Sequence, residues 1–153
     1  MNTMILLNIF LITHLTGLAL MAGTTVADTV TFSMFSKSFL KDGTPSLTLL
    51  TLMDKLSALL GIGAGLLIIS GTGMMIITHG AFAHQIWFKI KLALILTLIL
   101  NGFLVGGRQN SKLKKQLDSG EPAKNAIKNI KLFHLVQMGL FLTIILLSIF
   151  KFD

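Results

Sequence analysis

The stretch LSALLGIGAGLLIISGTGMMIITH, residues 56–79, contains no Asp, Glu, Lys or Arg among 24 consecutive positions. A helix needs about 20 predominantly apolar residues to cross the hydrocarbon core of a bilayer. The stretch meets that length and shows no polar face, which is typical of a helix in lipid or in the core of a bundle. It therefore predicts a transmembrane helix.

Three other stretches have the same character, and they lie on both sides of the first. They cover residues 4–27, 87–107 and 132–150. We expect the four to form an all-α, up-down bundle of four transmembrane helices, in a single membrane domain over residues 1–153. Residues 4–27 lack a basic start and exceed the apolar length of a signal peptide, so we interpret them as a retained helix.

The composition excludes an ordinary soluble domain. Hydrophobic residues make up 53% of the chain and charged residues 12%, whereas soluble domains carry about 25% charge. The chain has no cysteine, which excludes disulfides, thiolate zinc sites and cysteine-ligated iron–sulfur clusters. Histidine is then the one strong side-chain ligand available to haem iron or a transition metal.

The excess of basic residues predicts the orientation of the helices. The net charge is +7, and residues 108–131 hold Arg108 and six lysines. Loops rich in Lys and Arg stay in the cytoplasm. We therefore expect a multi-pass protein of the bacterial inner membrane, with both termini outside and residues 108–131 as a basic cytoplasmic loop. Because the basic residues serve as topology signals, we expect no nucleic-acid partner.

The basic loop also suggests partners at the membrane surface. We expect residues 112–117 to be a helical extension and residues 118–122 to break it. Lysines near a bilayer attract anionic lipid headgroups, at about 1 kcal/mol per basic residue. Small residues four apart, such as Gly61 and Gly65 or Gly102 and Gly106, predict close helix packing. The same spacing is compatible with a flat ligand on the helix, a homo-oligomer or a larger membrane complex.

Two histidines lie well inside the predicted spans, and a third, His79, closes the second span. His14 is near the centre of the first span and shares a helix face with Gly17 and Met21. It could be an axial haem ligand, a proton-relay group or a hydrogen-bond donor to a neighbouring helix. His134 lies about one turn into the fourth span, on one face with Gln137. The two histidines differ in depth by about 8–10 Å, so spacing alone indicates no bis-histidine pair.

The third span holds one lysine and a polar pair. Lys91 could extend to the headgroups, or it could face the bundle and bind a propionate or another anionic group. Asn101 and Thr97, one turn apart, predict hydrogen bonds between helices. No acidic residue falls within a predicted span, which argues against a carboxylate-based proton pump or cation carrier.

Three short motifs resemble the HemJ-type protoporphyrinogen oxidases and the CopD-like small membrane proteins, together with their uncharacterised relatives. The motifs are His14-Leu-Thr-Gly17 with Gly23, Met53-Asp54-Lys55-Leu56 with Thr72-Gly73, and Trp87-Phe-Lys-Ile-Lys91-Leu92. Together they extend over roughly residues 10–107. The place of the family's third-helix Tyr-His is taken by Asn101-Gly102 here.

The resemblance implies a haem-b-binding membrane redox protein that acts on a tetrapyrrole or a quinone-like substrate. It implies His14 as the ligand of the haem iron and Lys91 as a catalytic residue. We expect Gly17 and His134 to take part in cofactor binding. The alternative hypothesis is a non-catalytic helical subunit or scaffold of a larger membrane complex, in which His14 has a structural role.

Overall fold

The computed structural model describes residues 3–81, 84–119 and 124–149, and these are almost entirely helical. The α-helices are α1 (Thr3–Asp42), α2 (Leu47–Ile77), α3 (Ile86–Leu100), α4 (Gly107–Ser119) and α5 (Lys124–Ile149). A π-helical segment, Asn101–Gly106, joins α3 to α4. The backbone stays in the right-handed helical region at both of its ends, so α3, this segment and α4 form one continuous rod.

We refer to α1, α2, the continuous α3–α4 helix and α5 as the four rods. Each is long and apolar enough to cross a membrane, over Thr3–Lys41, Leu47–Ile77, Ile86–Leu117 and Lys124–Leu147 respectively. The predicted all-α fold with four membrane-spanning helices is therefore confirmed. Large aliphatic side chains are exposed along all four rods, among them Ile12, Ile69, Leu96 and Leu142. Lipid chains rather than water would cover such a surface.

The helices extend well past the predicted spans at one end of the bundle. α1 has 40 residues, or about 60 Å, whereas the hydrocarbon core is about 30 Å thick. It ends at Asp42, and α2 begins only five residues later, at Leu47. The prediction ended the first span at residue 27 because it counted uncharged residues. Helix formation continues through the charged residues because the helices also pack on one another there.

The segment predicted as a basic loop, residues 108–131, is helical wherever the structure describes it. α4 covers its first part and α5 begins at Lys124, eight residues before the predicted start of the fourth span. Residues 112–117 are helical as expected. The predicted break lies largely in residues 120–123, which are outside the described residues.

We call the two ends of the bundle the basic end and the terminal end. The basic end holds the α1–α2 turn, the end of α4 and the start of α5. The terminal end holds the start of α1, the end of α5 and the α2–α3 turn. At the α1–α2 turn, Gly43 has a φ of 69° and its N–H donates to the carbonyl of Phe39 at 3.0 Å. Ser46 then caps α2 by accepting from the N–H of Leu49.

Two buried apolar clusters hold the bundle together. The basic-end cluster combines residues of all four rods: Phe32, Phe35, Met53, Leu113, Ala126, Ile127 and Ile130. The central cluster lies nearer the terminal end and contains Met21, Leu98, Phe141 and Ile144, with partly buried α2 side chains packed against it. Polar residues occupy the level between the two clusters.

Helices α1 and α2 pack antiparallel at a pair of glycines. A Cβ on Gly17 would lie 3.1 Å from the carbonyl oxygen of Gly63, and one on Gly63 would lie 3.1 Å from the Met21 side chain. Of the α2 glycines predicted to pack, Gly61 and Gly65 have no atom within 4 Å of their Cβ positions, whereas the Cβ position of Gly73 lies against the Phe10 ring of α1. The close backbone contact uses Gly63, because that glycine faces α1.

Candidate functional site

A cavity of about 340 Å³ lies between the two apolar clusters, and all four rods contribute to its wall. Its polar lining comes from Asp28, Asp54, Ser57, Asn110, Ser111, Lys114, His134 and Gln137. Its apolar lining includes Met21, Leu60, Leu98 and Phe133. Binding sites for small molecules have this character, a mostly apolar hollow with a few convergent polar groups.

Asp28 and His134 face each other at this cavity. Asp28 Oδ2 lies 4.0 Å from His134 Nδ1, and the two side chains are 15% and 6% exposed. That distance is longer than a hydrogen bond. The other carboxylate oxygen, Oδ1, is buried and has no hydrogen-bond partner among the described residues. A buried carboxylate oxygen without a donor is costly, so this position calls for a donor from outside the described chain.

Aromatic rings fix the position of the His134 side chain. The ring centroid of Phe32, one turn after Asp28 on α1, lies 5.2 Å from that of His134. The ring centroid of Phe133 lies 5.4 Å away. A Cβ on Gly106 would lie 2.8 Å from the Phe133 ring, so the π-helical segment needs a glycine where this ring packs. His134 is thus held against α1 by packing on two sides.

The π-helical segment forms the wall on the opposite side. Asn101 Nδ2, at its first residue, donates to Gln137 Oε1 at 3.0 Å. Gln137 is 3% exposed, and a Cβ on Gly102 would lie 3.9 Å from its Nε2. The predicted interhelical hydrogen bond of Asn101 is confirmed. The one predicted for Thr97 is wrong, because Thr97 donates to the Ala93 carbonyl of its own helix.

The basic end of the cavity is bridged by an ion pair. Lys114 Nζ lies 2.8 Å from Asp54 Oδ1 and 2.7 Å from Oδ2. Both side chains are about half exposed, so the pair lies at the water-accessible edge. Lys114 compensates the charge of Asp54, whereas the charge of Asp28 has no paired cation among the described residues.

His14 belongs to a second polar group, nearer the terminal end. Its Nδ1 lies 3.0 Å from Ser70 Oγ, which is fully buried. The Ser70 hydroxyl donates its one hydrogen to the carbonyl of Leu66, so Oγ accepts from His14. Nδ1 of His14 therefore carries a proton, and Nε2 is left for another partner. Lys91 is partly buried and lies close enough to His14 for the two to interact electrostatically.

The structure separates His14 and His134 by more than the difference in depth of about 8–10 Å that the sequence predicted. Asp28, which faces His134, lies fourteen residues after His14 on α1, or about 21 Å along the helix. Two axial ligands must reach one iron, so His14 and His134 do not fit a bis-histidine haem. Gly17 does share a face with His14, but that face packs against α2. No group of three or more His, Asp or Glu in the described residues could hold a metal ion.

Sequence reasoning missed Asp28, because it ended the first span one residue before it. α1 continues through Asp28 for another fourteen residues. One signal could have found it. Phe32 and Phe35 follow at helical spacing, which indicates that the helix still has a buried face after Asp28.

We compared the chain with protein-family models, curated proteins and solved structures, and none of them matches it. The resemblance to HemJ-type and CopD-like proteins therefore rests on the three motifs alone.

Proposed function

We propose that this multi-pass membrane protein binds a small cation, an ammonium group in particular, in the cavity between its four rods. The observation that supports this is the buried Oδ1 of Asp28, which has no hydrogen-bond partner in the described chain. An ammonium group supplies both the missing donor and the missing positive charge. The volume of about 340 Å³ lies within the range of small-molecule sites.

The charges around the cavity favour a cation over an anion. The described lining residues carry two carboxylates, Asp28 and Asp54, and one lysine, Lys114. Lys114 pairs with Asp54, so one negative charge is left over while His134 is neutral. The lining also includes the Phe133 ring, and aromatic faces attract cations that approach within about 6 Å.

Substitution of Asp28 by asparagine tests the proposal. We expect the affinity for ethylammonium to fall about 30-fold or more, because loss of one partner of a buried charge pair costs about 2 kcal/mol or more. The measurement is calorimetric titration of the purified protein with ethylammonium chloride, against sodium chloride of equal ionic strength. The control is Ser70→Ala, which alters a buried polar residue that does not line the cavity and should bind as before. Equal binding by Asp28→Asn and the unaltered protein would overturn the proposal.

Haem binding at His14 is a second candidate function, supported by a different observation. Ser70 accepts from Nδ1 of His14, and a haem-ligating histidine coordinates through its second nitrogen while a partner orients the first. His14 would hold the iron as a single protein ligand, and Lys91, whose charge acts on His14, would supply a positive charge for a propionate. The haem would supply one-electron chemistry.

An absorption spectrum decides the haem candidate. After expression with added haem, we expect a Soret band from the purified protein and its loss in His14→Ala. Ser70→Ala should keep the band but shift it, because the orienting hydrogen bond is gone. His134→Ala should leave it unchanged. Purified protein without a Soret band would rule this candidate out.

We also infer the orientation in a bacterial inner membrane from the positive-inside rule, with the basic end in the cytoplasm and both termini outside. Because the chain has no cysteine, cysteines introduced one at a time can report this orientation. Ala81 and Thr44 are exposed at opposite ends of the bundle. In intact cells we expect a membrane-impermeant maleimide to label Ala81→Cys and to label Thr44→Cys only after permeabilisation. The reverse pattern would contradict the inferred orientation.

The exposed face of α4 supports a partner at the cytoplasmic surface. Arg108, Ser111, Lys112 and Lys115 line an open groove of about 540 Å³, and we infer that it holds anionic lipid headgroups. Replacing the three basic residues by glutamine should lower the phosphatidylglycerol that co-purifies. Replacing Lys37, Lys41 and Lys55 removes equal charge elsewhere and should lower it less. Equal losses in the two variants would remove the case for a specific groove.

A further inference from the structure

The cavity has a side that no helix contact closes. In the described residues, α2 packs along α1, and α5 packs along α1, α3 and α4. No comparably broad contact joins α2 to α3 or α4. Yet the cavity wall includes residues of α2 on one side and of α3, the π-helical segment and α4 on the other. The cavity therefore extends into the gap between α2 and the α3–α4 rod. We call this opening the α2–α3 gap.

The residues that face each other across the α2–α3 gap are small. Ser57, Gly61 and Ala64 contribute from α2, and Gly102 and Gly106 from the π-helical segment. Small residues normally let transmembrane helices come into contact. Here a Cβ on Gly61 would meet no atom within 4 Å, and one on Gly102 would meet only the Gln137 side chain. Gly61 therefore borders a space instead of a helix contact, whereas Gly106 packs against the Phe133 ring of α5.

The lining changes from polar to apolar along the bundle axis. Toward the basic end it holds Asp28, His134 and the Asp54–Lys114 ion pair, which bridges the α2–α3 gap there. Toward the terminal end it holds Met21, Leu60, Ala64, Leu98 and Ile99. Met21 and Leu98 are buried in the central cluster, and Leu60 and Ala64 pack against it, so apolar contacts close the gap at this end. The gap is open beside Ser57 and Gly61, which are exposed. The exposed aliphatic residues on both helices, such as Ile62 and Leu96, indicate that lipid lies outside it.

We propose that the ligand is a single-chain ammonium amphiphile. Its charged head lies against Asp28, and its apolar chain leaves the cavity through the α2–α3 gap into the bilayer. A cavity of about 340 Å³ holds a head and the first part of one chain, and the open part of the gap provides the path for the rest. The inference rests on the proposed cation site and adds the class of molecule that occupies it.

The test compares two amines that differ only in chain length. The protein is placed in phosphatidylcholine nanodiscs, whose headgroup amine has no N–H donor. Thermal unfolding is followed by the fluorescence of Trp87, the one tryptophan in the sequence. We expect dodecylammonium to raise the Tm at a concentration at least tenfold below that needed for ethylammonium. Asp28→Asn should abolish the response to both amines.

Two glycine variants locate the path of the chain. Gly61→Leu places a bulky side chain in the α2–α3 gap, where no atom lies near the Cβ position. It should raise the dodecylammonium concentration that is needed at least tenfold more than the ethylammonium concentration. Gly65→Leu is the matched control, since it also has no atom near its Cβ position but does not line the cavity. A full dodecylammonium response in Gly61→Leu would overturn the proposed path.

The outcomes separate this inference from the proposed function. If both amines act at the same concentration and Asp28→Asn abolishes both responses, the cation site stands and the amphiphile is rejected. If neither amine changes the Tm, the cation site and the amphiphile are rejected together. If nanodiscs that contain phosphatidylethanolamine abolish the response to dodecylammonium, the occupant is a two-chain lipid and the single-chain proposal falls.

Discussion

Replacing Phe35 with alanine is expected to lower the free energy of unfolding by about 3–5 kcal/mol, the usual cost of truncating a fully buried phenylalanine. Phe35 is 0% exposed in the basic-end cluster. Its ring lies 6.5 Å from that of Phe32 and stacks on that of Phe39 at 5.9 Å. Few neighbours could move into the space, because Phe35 lies in a cluster that combines buried residues of all four rods.

The size of this loss reports where the basic-end cluster lies relative to the bilayer. The hydrophobic effect stabilises apolar contacts that would otherwise face water. It adds little between helices in lipid, whose chains are as apolar as the side chains. A loss of several kcal/mol is therefore expected only if the cluster extends beyond the hydrocarbon, as the 40-residue length of α1 indicates.

Leu40→Ala is the matched control for Phe35→Ala. Leu40 lies on the same helix, five residues later, and is 65% exposed. Its truncation should change the free energy of unfolding by less than about 0.5 kcal/mol. Chemical unfolding in mild detergent, followed by circular dichroism, measures both variants. Equal effects of the two substitutions would show that the basic-end cluster is not a water-excluding core.

Replacing Gly17 with leucine is expected to separate α1 from α2. The new Cβ would lie 3.1 Å from the Gly63 carbonyl oxygen and from Leu66 Cβ, and backbone atoms on α2 have little freedom to move. Overpacking of this kind costs about 1–3 kcal/mol and sometimes more. The hydrogen bond between His14 and Ser70, one turn away, should break with it. Thermal unfolding in detergent should show a lower Tm.

Gly23→Leu is the control that isolates the packing effect. Gly23 lies on the same helix and has no atom within 4 Å of its Cβ position. Leucine favours a helix over glycine by about 0.8–1 kcal/mol, so this variant should be as stable as the unaltered protein or slightly more so. If Gly17→Leu were equally harmless, α1 and α2 would not need their close approach at Gly63.

The sequence predicted several features of the candidate site and missed its central residue. It placed His134 and Gln137 on one face of the fourth span and predicted an interhelical hydrogen bond for Asn101. In the structure His134 and Gln137 line the cavity, and Asn101 donates to Gln137. It did not identify Asp28, because charge alone ended the first span there. It assigned the α2 packing to Gly61 and Gly65, which meet no neighbour, and to Gly71 and Gly73, of which Gly73 packs against Phe10 of α1. It did not include Gly63.

The amino-acid sequence by itself determined the number and kind of the membrane segments. In lipid the backbone has to satisfy its own hydrogen bonds, so each long apolar stretch becomes a helix whatever surrounds it. The tertiary structure alone decided which side chains meet. Asp28 and His134 are 106 residues apart, and their approach depends on the rotation and depth of α1 against α5. Those are set by packing at Phe32 and Phe133, which no periodicity within one helix reveals.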